Sequence, residues 1–260
     1  MKESLRDRIV LITGASSGIG AATARLMSER GAHVVLCARS EDKLRRVAAG
    51  LRGPHDVRVM DVREDASVEG TVAAVMERHG RIDVLVNGAG YGEFVPFLDA
   101  PLDHFRDMME VNYLGTVRCI RAVLPHMLRA GCGHIVNIAS IAGKLATAKT
   151  SGYAATKHAV LGFTNALRQE LRGTGVRVSA INPGPVDTPF FDRADPEGHY
   201  VRNVRWFMLS PERVARAVVR VVERRKAELD LPWTAAAGVR LVQLFPRLTD
   251  TVLFRLINRK

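Results

Sequence analysis

Tyr153 and Lys157 lie four residues apart in a segment whose pattern predicts a helix from Gly152 to Arg172. Residues i and i+4 share one face of a helix, so the Lys157 ammonium can lie beside the Tyr153 phenol. A neighbouring cation favours the phenolate and lowers the pKa of a phenol from its usual value of ~10. Such a tyrosine can exchange a proton with a carbonyl or alcohol oxygen near neutral pH, so the pair predicts acid–base chemistry at a carbon–oxygen bond.

A glycine pattern near the start of the chain predicts a dinucleotide site. It reads Thr13-Gly14-Ala15-Ser16-Ser17-Gly18-Ile19-Gly20, after an apolar strand and at the start of a predicted helix. Gly14 allows a tight turn, Gly18 lets the backbone approach a pyrophosphate, and Gly20 allows close packing of helix on strand. The exposed amides at the helix start favour phosphate charge, and we include Ser16, Ser17 and Ile19 in this site. The alternative is a turn that binds no ligand.

The end of the second predicted strand distinguishes between the two nicotinamide cofactors. NAD binders place an acidic residue there to bond the ribose 2′-hydroxyl, whereas a 2′-phosphate needs a cation. This chain has Cys37-Ala38-Arg39-Ser40, which offers no carboxylate, and the fork of donors on Arg39 suits phosphate. We therefore predict NADP(H) bound by Arg39 and Ser40, with NAD(H) as the alternative.

The chain alternates short β-branched runs with longer helical stretches, which is typical of parallel βαβ units in an α/β protein. We predict strands at Arg8–Thr13, His33–Ala38, Val57–Asp61, Val84–Asn87, His134–Ile138, Arg177–Asn182 and Glu228–Leu231. We predict helices at Gly18–Arg30, Asp42–Leu51, Val68–His79, Leu102–Ala130, Gly152–Arg172 and Pro211–Lys226. No internal repeat or linker divides the sequence, so we expect a single domain over residues 1–260.

Size and composition fit a globular protein. With 260 residues, 47% of them hydrophobic and 25% charged, the chain can build one large core. Cys37, Cys119 and Cys132 have no metal-like spacing, which favours a reduced setting and predicts no metal site. There is no signal peptide and no run of ~20 apolar residues, so we expect a cytoplasmic protein. The net charge of +11 permits attraction to anionic partners, but no nucleic-acid motif accompanies it, and we predict no nucleic-acid partner.

Through about residue 190 the sequence resembles a short-chain dehydrogenase/reductase. Besides the glycine pattern, Tyr153 and Lys157, the resemblance rests on five further motifs, in order along the chain. These are Asp61-Val62, Asn87-Gly88-Ala89-Gly90, Asn112, Asn137-Ile138-Ala139-Ser140 and Pro183-Gly184-Pro185-Val186-Asp187-Thr188. The resemblance implies a doubly wound, Rossmann-type domain. Its seven-stranded parallel sheet would have the order 3-2-1-4-5-6-7, with helices on both faces and a C-terminal helical extension at about residues 237–260.

The resemblance also implies roles for these motifs. Ser140 would hold the substrate oxygen, Tyr153 would donate or accept the proton, and Lys157 would also grip the nicotinamide ribose. Asn112 would position a water that links Lys157 to solvent. The remaining motif residues would surround the cofactor: Asp61, Val62, Asn87, Gly88, Ala89, Gly90, Pro183, Gly184, Val186 and Thr188. From the residues alone, the alternatives are a capping hydroxyl for Ser140, a turn or helix-bending residue for Asn112, and a packed phenol for Tyr153 with a solvated Lys157.

The end of the chain departs from the family pattern. Ala227-Glu228-Leu229-Asp230-Leu231-Pro232-Trp233 stands where many members have a glycine-rich stretch that helps to form a tetramer. We therefore expect a homodimer, leave the tetramer open, and note a resemblance to the hydroxysteroid and retinol dehydrogenase and long-chain ketone reductase subgroup. The tail has an apolar stripe from Leu241 to Ile257 with accompanying arginines. It can lie at a membrane surface or pack on the substrate lobe or a dimer partner, and we favour packing.

The loops after the fourth and sixth strands are rich in aromatic residues, and the second of them, at about residues 185–210, is a predicted substrate lid. The predicted lining consists of Phe94, Phe97, Phe190, Phe191, Tyr200, Trp206, Phe207 and Met208. Such a lining suits a lipophilic ketone, aldehyde or alcohol. The sequence thus predicts an NADP(H)-dependent oxidoreductase. The alternatives are an NAD-linked hydroxysteroid-type alcohol dehydrogenase and a non-catalytic nucleotide-sensing protein of the same fold.

Overall fold

Seven parallel strands form one sheet in the computed structural model, which describes residues 3–244. Their order is β3-β2-β1-β4-β5-β6-β7, as the sequence analysis predicted. The strands are β1 Ile9–Thr13, β2 His33–Ala38, β3 His55–Val59, β4 Val84–Asn87, β5 Gly133–Ile138, β6 Val176–Pro183 and β7 Glu228–Leu231. The order reverses between β1 and β4, which is where ligands bind in open α/β sheets.

Helices cover both faces of the sheet. They are α1 Gly18–Glu29, α2 Glu41–Ala48, α3 Asp65–His79, α4 Leu102–Met109, α5 Gly115–Ala130, α6 Ser151–Glu170, α7 Phe190–Ala194, α8 His199–Val204, α9 Pro211–Arg224 and α10 Trp233–Leu244. Short 3-10 turns lie at Phe97–Asp99, Ile141–Gly143 and Arg205–Phe207. Among the described residues no helix is long and apolar enough to cross a membrane.

Alternation along the strands divides the core into two halves. In β1, Val10 and Ile12 face the helices α1, α2 and α9, whereas Ile9 and Leu11 face α3, α5 and α6. Because both faces are covered, the central strands are apolar at nearly every position, as is typical of parallel sheets. Each fully buried aliphatic side chain contributes about 1.5–3 kcal/mol.

The predicted helix from Leu102 to Ala130 is wrong in one respect. A π-helical turn, Glu110–Leu114, interrupts it and separates α4 from α5. A π turn carries one extra residue, and here that irregularity presents the buried Asn112 to the carboxyl edge of β4. The sequence allowed for a bend at Asn112 but not for this turn.

Other differences from the predicted boundaries are small and lie at element ends. Strand β3 begins at His55 and ends at Val59, so Asp61 follows the strand instead of ending it. The lid contains α7 and α8, and the C-terminal extension begins with α10 at Trp233. The apolar stripe predicted beyond residue 244 lies outside the described residues.

A buried chain of polar side chains connects the sheet to α6, the helix that carries Tyr153 and Lys157. Asn87 Nδ2 donates to Asn137 Oδ1 at 2.9 Å, and Asn137 Nδ2 donates to Thr164 Oγ1 at 2.8 Å. All three side chains are buried, so their hydrogen bonds have no competition from water. These hydrogen bonds therefore fix β4, β5 and α6 relative to one another just below the carboxyl edge of the sheet.

Replacing Asn137 with Ala is expected to lower the free energy of unfolding by about 2 kcal/mol, because buried donors and acceptors on Asn87 and Thr164 lose a partner. The matched control is Asn165→Ala, which removes an exposed amide that only accepts from Arg168 on the same helix. We expect the control to change stability by less than about 0.5 kcal/mol. Denaturant unfolding measures both; equal losses would show that the buried chain is not structurally important.

Candidate active site

A cavity of ≈ 550 Å³ lies at the carboxyl edge of the sheet, below α7, α8 and α10. It brings together ten residues that the sequence predicted for the site: Ile19, Gly88, Gly90, Ser140, Tyr153, Lys157, Pro183, Gly184, Val186 and Thr188. They come from the start of α1, from the ends of β4, β5 and β6 and the loops that follow them, and from the first turns of α6. Residues that are far apart in the chain thus meet at the point where the strand order predicts a ligand.

Tyr153 and Ser140 form the polar part of the cavity wall. The Ser140 hydroxyl accepts from the amide of Ala142 at 3.0 Å and donates to the Pro183 carbonyl at 3.3 Å. Ser140 also lies in the cavity wall with Tyr153, and its hydroxyl favours the ionised phenol. Ser140 therefore caps the 3-10 turn after β5, and its role towards a substrate oxygen stays a prediction.

Lys157 lies behind Tyr153 on the same face of α6. Its side chain is buried, and its ammonium donates to the Ile138 carbonyl at 2.9 Å. The Nζ atom lies 5.8 Å from the centroid of the Tyr153 ring. The predicted i, i+4 pairing is therefore present, but the ammonium lies beside the ring and bonds to the backbone of β5.

Burial dominates the ionisation of both groups. Burial raises the pKa of Tyr153 to about 12, although the Ser140 hydrogen bond acts in the opposite direction. Burial also lowers the pKa of Lys157 to about 8. The expectation that Lys157 lowers the phenol pKa is thus wrong, because loss of solvent disfavours the charged form of each group.

Asn112 holds the loop after β4 in place. Its Oδ1 accepts from the Tyr91 amide at 2.9 Å, and its Nδ2 donates to the Tyr91 carbonyl at 2.8 Å and to Thr156 Oγ1 at 3.0 Å. A Cβ at Gly90 would lie 2.9 Å from Asn112 Oδ1 and 3.7 Å from Lys157 Nζ. Asn112 is therefore next to Lys157 across Gly90, and its side chain binds protein backbone as well as the neighbouring helix.

The glycine turn after β1 fits the predicted dinucleotide. Gly14 and Gly18 have positive φ values of 68° and 51°, which non-glycine residues rarely adopt. A Cβ at Gly14 would lie 2.7 Å from the Gly88 carbonyl oxygen, and one at Gly20 would collide with the Gly14 carbonyl. Ser17, the N-cap of α1, makes no side-chain cap bond, so the first amides of α1 are left to bind an anion.

The rest of the predicted cofactor site lies along the same edge. Gly18 lies beside Thr188, since a Cβ on the glycine would be 3.1 Å from the threonine Cγ2. Ala89 packs on Gly14, the buried Asn87 supports the β4 end, and Ser16 follows the turn. The dinucleotide can therefore extend from the glycine turn towards Thr188 and the Tyr153 phenol.

The region that would meet the adenosine end is rich in arginine. Arg39 is exposed just after β2, and Ser40 is the N-cap of α2 without a side-chain cap bond. The Asp61 carboxylate forms an ion pair with Arg63 at 2.6 Å, and this hydrogen bonding is the largest cause that holds the pKa of Asp61 below its usual value. Val62 next to it is buried against Gly115.

Most of the predicted aromatic lining is present. Phe94 makes ring contacts with Tyr153, Phe190, Phe191 and Tyr200 at centroid distances of 6.2, 6.4, 6.3 and 5.1 Å. Trp206 and Phe207 also line the cavity. The prediction that Phe97 lines the cavity was wrong, because this residue is 68% exposed and its ring packs on Phe105. Met208 does not line the cavity either.

The lid is attached to the loop after β4 by one arginine. The Arg193 guanidinium of α7 lies 3.7 Å from the centroid of the Tyr91 ring and forms an ion pair with Glu93 at 2.6 Å. The Phe94 amide also donates to the Ala194 carbonyl at 3.0 Å. These contacts join both walls of the cavity and orient the Phe94 and Phe190 rings.

The sequence analysis missed several residues that support or line the site. Thr13 Oγ1 accepts from the amides of Gly88 and Ala89, both at 3.1 Å, and so joins the β1 and β4 ends. Helix α10 contributes Val239, which is buried, to the cavity wall. No local pattern marks either feature, because each depends on a contact between segments that are distant in the chain.

Comparison with known proteins identifies relatives of this chain. Residues 8–198 match the short chain dehydrogenase family. An uncharacterized oxidoreductase of Staphylococcus epidermidis is 38% identical over 191 residues, which are 74% of this chain and 83% of that protein. The family match covers both the glycine turn and the Tyr153 region.

Solved structures of the same class have similar folds. A variant of actinorhodin polyketide ketoreductase with NADPH is 34% identical, with a TM-score of 0.80 over 89% of this chain and 97% of that one. A short chain dehydrogenase/reductase from Burkholderia phymatum in complex with NAD is 28% identical, with a TM-score of 0.89 over 95% and 96% of the two chains. The neighbours thus include proteins with each of the two nicotinamide cofactors.

We expect the Lys157 ammonium to lose its proton near pH 8 in the free protein, because burial disfavours the charged form. Below that pH the side chain is positively charged, and above it the amine is neutral. Nuclear magnetic resonance of lysine labelled at Cε and Nζ measures this titration, and the Lys157→Met variant identifies the resonance by its absence. A Lys157 resonance that titrates near the ordinary lysine value of ~10.4 would contradict this description of the site.

Proposed function

Because the chain belongs to the short chain dehydrogenase family and its relatives are oxidoreductases, we propose that it uses NADP(H) to interconvert a lipophilic ketone or aldehyde and its alcohol. Tyr153 is the proton donor in reduction and the acceptor in oxidation. One observation carries the proposal. The Tyr153 phenol and the Ser140 hydroxyl lie together in the wall of a largely apolar cavity, with the Lys157 ammonium buried behind them.

Tyr153 can move a proton in this cavity because it is protonated before the reaction. With its pKa near 12, the phenol is neutral at physiological pH and can donate to a carbonyl oxygen. The Ser140 hydroxyl can donate to the same oxygen, on which negative charge develops. The Lys157 charge then favours the phenolate that remains, and in a cavity with little water this attraction is stronger than in solution.

Asn112 is a positioning residue in this proposal. It holds the Tyr91 backbone through two hydrogen bonds and thereby keeps Gly90 against Lys157. This contact prevents the ammonium from swinging away from α6, while Ile138 fixes it from the other side. We also propose that Asn112 positions a water molecule that links Lys157 to solvent.

The proposed cofactor, when bound, supplies or accepts the hydride at the carbon of the reacting group. Gly14, Ser16, Ser17, Gly18, Ile19 and Gly20 would hold its pyrophosphate through backbone amides. Pro183, Gly184, Val186 and Thr188 line the cavity beside Tyr153 and would orient the nicotinamide end. Of the other predicted residues, Asp61 and Val62 would border the adenine, and Asn87 to Gly90 would close the strand edge around the cofactor.

Two features favour NADP(H) over NAD(H). The exposed Arg39 follows β2 directly, where a 2′-phosphate would need a cation. The carboxylate of Asp61, which follows β3, is paired with Arg63, so it repels a phosphate less than a free carboxylate would. Of the neighbours, the ketoreductase with NADPH fits this preference and the Burkholderia phymatum protein with NAD represents the alternative.

The cavity itself favours a lipophilic substrate. Phe94, Phe190 and Phe191 pack edge to face beside Tyr153, and Val239 of α10 closes the opposite side. Apolar walls with a few polar groups at one end bind the apolar body of a ligand and orient its reacting oxygen. The cavity of ≈ 550 Å³ has the size of an ordinary small-molecule site.

Replacing Tyr153 with Phe removes the phenol oxygen and keeps the ring, so we expect kcat to fall by at least about a hundredfold. The affinity for NADPH should change by less than about twofold. Reduction of a panel of steroids, retinoids and long-chain ketones is followed by NADPH absorbance, and cofactor affinity by fluorescence titration. Tyr113→Phe is the matched control, because that ring packs on Phe163 away from the cavity lining. Activity of Tyr153→Phe within tenfold of the parent would mean that another group moves the proton.

Replacing Arg39 with Ala is expected to weaken NADPH binding at least about tenfold, the effect of one charge-assisted hydrogen bond. NADH binding should stay within about twofold, since NADH has no 2′-phosphate. Arg46→Ala, an exposed arginine on the neighbouring α2, serves as the control with the same change of charge. If fluorescence titration gives equal NADPH affinities for parent and Arg39→Ala, the assignment of the cofactor fails.

A further inference from the structure

Three side chains that can bind a metal ion meet at the amino edge of the sheet, opposite the cavity. His33 is the first residue of β2, Asp56 is the second residue of β3, and His79 ends α3. One ligand atom from each lies within 4.8 Å of the other two. Asp56 Oδ2 is 2.6 Å from His79 Nε2 and 3.4 Å from His33 Nε2. We call these three residues the His–Asp–His cluster.

The cluster is almost enclosed by protein. The exposed fractions of the side chains are 17% for His33, 5% for Asp56 and 11% for His79. His33 and Asp56 lie on the sheet face that α3 covers, and the neighbours on that face, Ile9, Leu11 and Val35, are apolar. A polar group in such a place costs free energy unless a partner satisfies it.

One atom of the cluster lacks such a partner. His33 Nε2 is buried and makes no aligned hydrogen bond, although Asp56 Oδ2 is only 3.4 Å away. The two imidazole rings lie with their centroids 4.3 Å apart and an angle of 64° between their planes, so they do not stack. His33 Nε2 is therefore a buried nitrogen close to Asp56 Oδ2, the oxygen that His79 contacts. The protein itself supplies no hydrogen bond to this nitrogen.

The second carboxylate oxygen of Asp56 has a partner outside the cluster. Arg78 forms an ion pair with Asp56 Oδ1 at 3.1 Å, and its side chain is 59% exposed. This pairing leaves Oδ2 to the two histidines. A partner of this kind orients a metal-binding carboxylate and limits it to one bonding oxygen.

We propose that His33, Asp56 and His79 bind one Zn²⁺ ion through His33 Nε2, His79 Nε2 and Asp56 Oδ2. Two imidazole nitrogens and one carboxylate oxygen suit Zn²⁺, whereas Ca²⁺ and Mg²⁺ require oxygen ligands almost exclusively. Ligand atoms about 2.0–2.1 Å from a tetrahedral ion are roughly 3.3 Å from each other, which is close to the His33–Asp56 distance. Movement of His79 away from Asp56 would widen their 2.6 Å separation towards the same value, and water would take the fourth position.

The ion would act on structure and not on the reaction. It joins the starts of β2 and β3 to the end of α3, while the cavity lies at the other end of the strands. The ends of β2 and β3 lead to Arg39 and Asp61 respectively. Spacing in the sequence gave no indication of a metal here, because the three residues come from three separate elements. The proposal does not depend on the proposed function.

The experiment uses the full chain with Cys132→Ser, because the exposed thiol of Cys132 could otherwise bind zinc. After treatment with a chelator and its removal, we expect equilibrium dialysis to give one Zn²⁺ per chain. At free Zn²⁺ about 100-fold above Kd, Tm should rise by about 5–10 °C. Failure to bind one equivalent at micromolar Zn²⁺ would overturn the proposal.

Single replacements of His33 or His79 by Gln test the assignment of the ligands. Each should weaken Zn²⁺ binding at least about tenfold and abolish the rise in Tm. His199→Gln is the matched control, because His199 forms an exposed pair with Glu197. Zinc binding that persists in both His33→Gln and His79→Gln would overturn the proposal.

X-ray absorption at the zinc edge keeps the test decisive if a histidine variant does not fold. For the zinc-loaded Cys132→Ser chain we expect nitrogen and oxygen neighbours at about 2.0–2.1 Å, with the multiple scattering of two imidazoles. A spectrum with a sulfur neighbour, or without imidazole scattering, would overturn the assignment. The natural chain should give the same spectrum.

Discussion

The site depends on the burial of one amine. Lys157 is enclosed between β5, α6 and the loop after β4, and its ammonium donates to the Ile138 carbonyl. Removal of water from this position lowers the pKa of the amine and, a few ångströms away, raises that of the Tyr153 phenol. The two groups are therefore held near the ionisation states that proton donation to a carbonyl requires. The elements around Lys157 keep its amine buried.

Four features of the fold maintain that enclosure. The hydrogen bonds that join Asn87, Asn137 and Thr164 fix the sheet to α6. The π turn at Asn112 holds Gly90 beside the Lys157 amine. Glycines at the strand ends leave the space beside it free of side chains, which a flat dinucleotide can fill. The lid and α10 then cover the cavity with apolar groups. Each contact joins segments distant in sequence, so the site forms only when the whole sheet has formed.

Strand alternation and the glycine pattern are local signals, so they predicted the strands and the dinucleotide turn. The sheet order and most of the residues that meet at the cavity came from the resemblance to short-chain dehydrogenases. The sequence could not predict the π turn, since that turn accompanies hydrogen bonds between Asn112 and Tyr91, which lies in a separate segment of the chain. It placed Phe97 in the cavity although the chain turns that ring outward. It also gave the wrong direction for the pKa of Tyr153, because helical spacing shows which charge is near but not how much solvent is lost. Pairwise spacing is readable in a sequence, whereas burial is a property of the fold.

The central claim is that Tyr153 transfers the proton while a nicotinamide bound at the same cavity exchanges hydride with the substrate carbon. A crystal structure of the chain with NADP⁺ and a bound alcohol tests this most directly. We expect the substrate oxygen to lie within about 2.6–3.2 Å of the Tyr153 phenol oxygen. We also expect the nicotinamide C4 to lie about 3–3.5 Å from the substrate carbon. A structure in which the cofactor and the alcohol are both well ordered, but the Tyr153 phenol does not contact the alcohol oxygen, would contradict the proposed role of Tyr153.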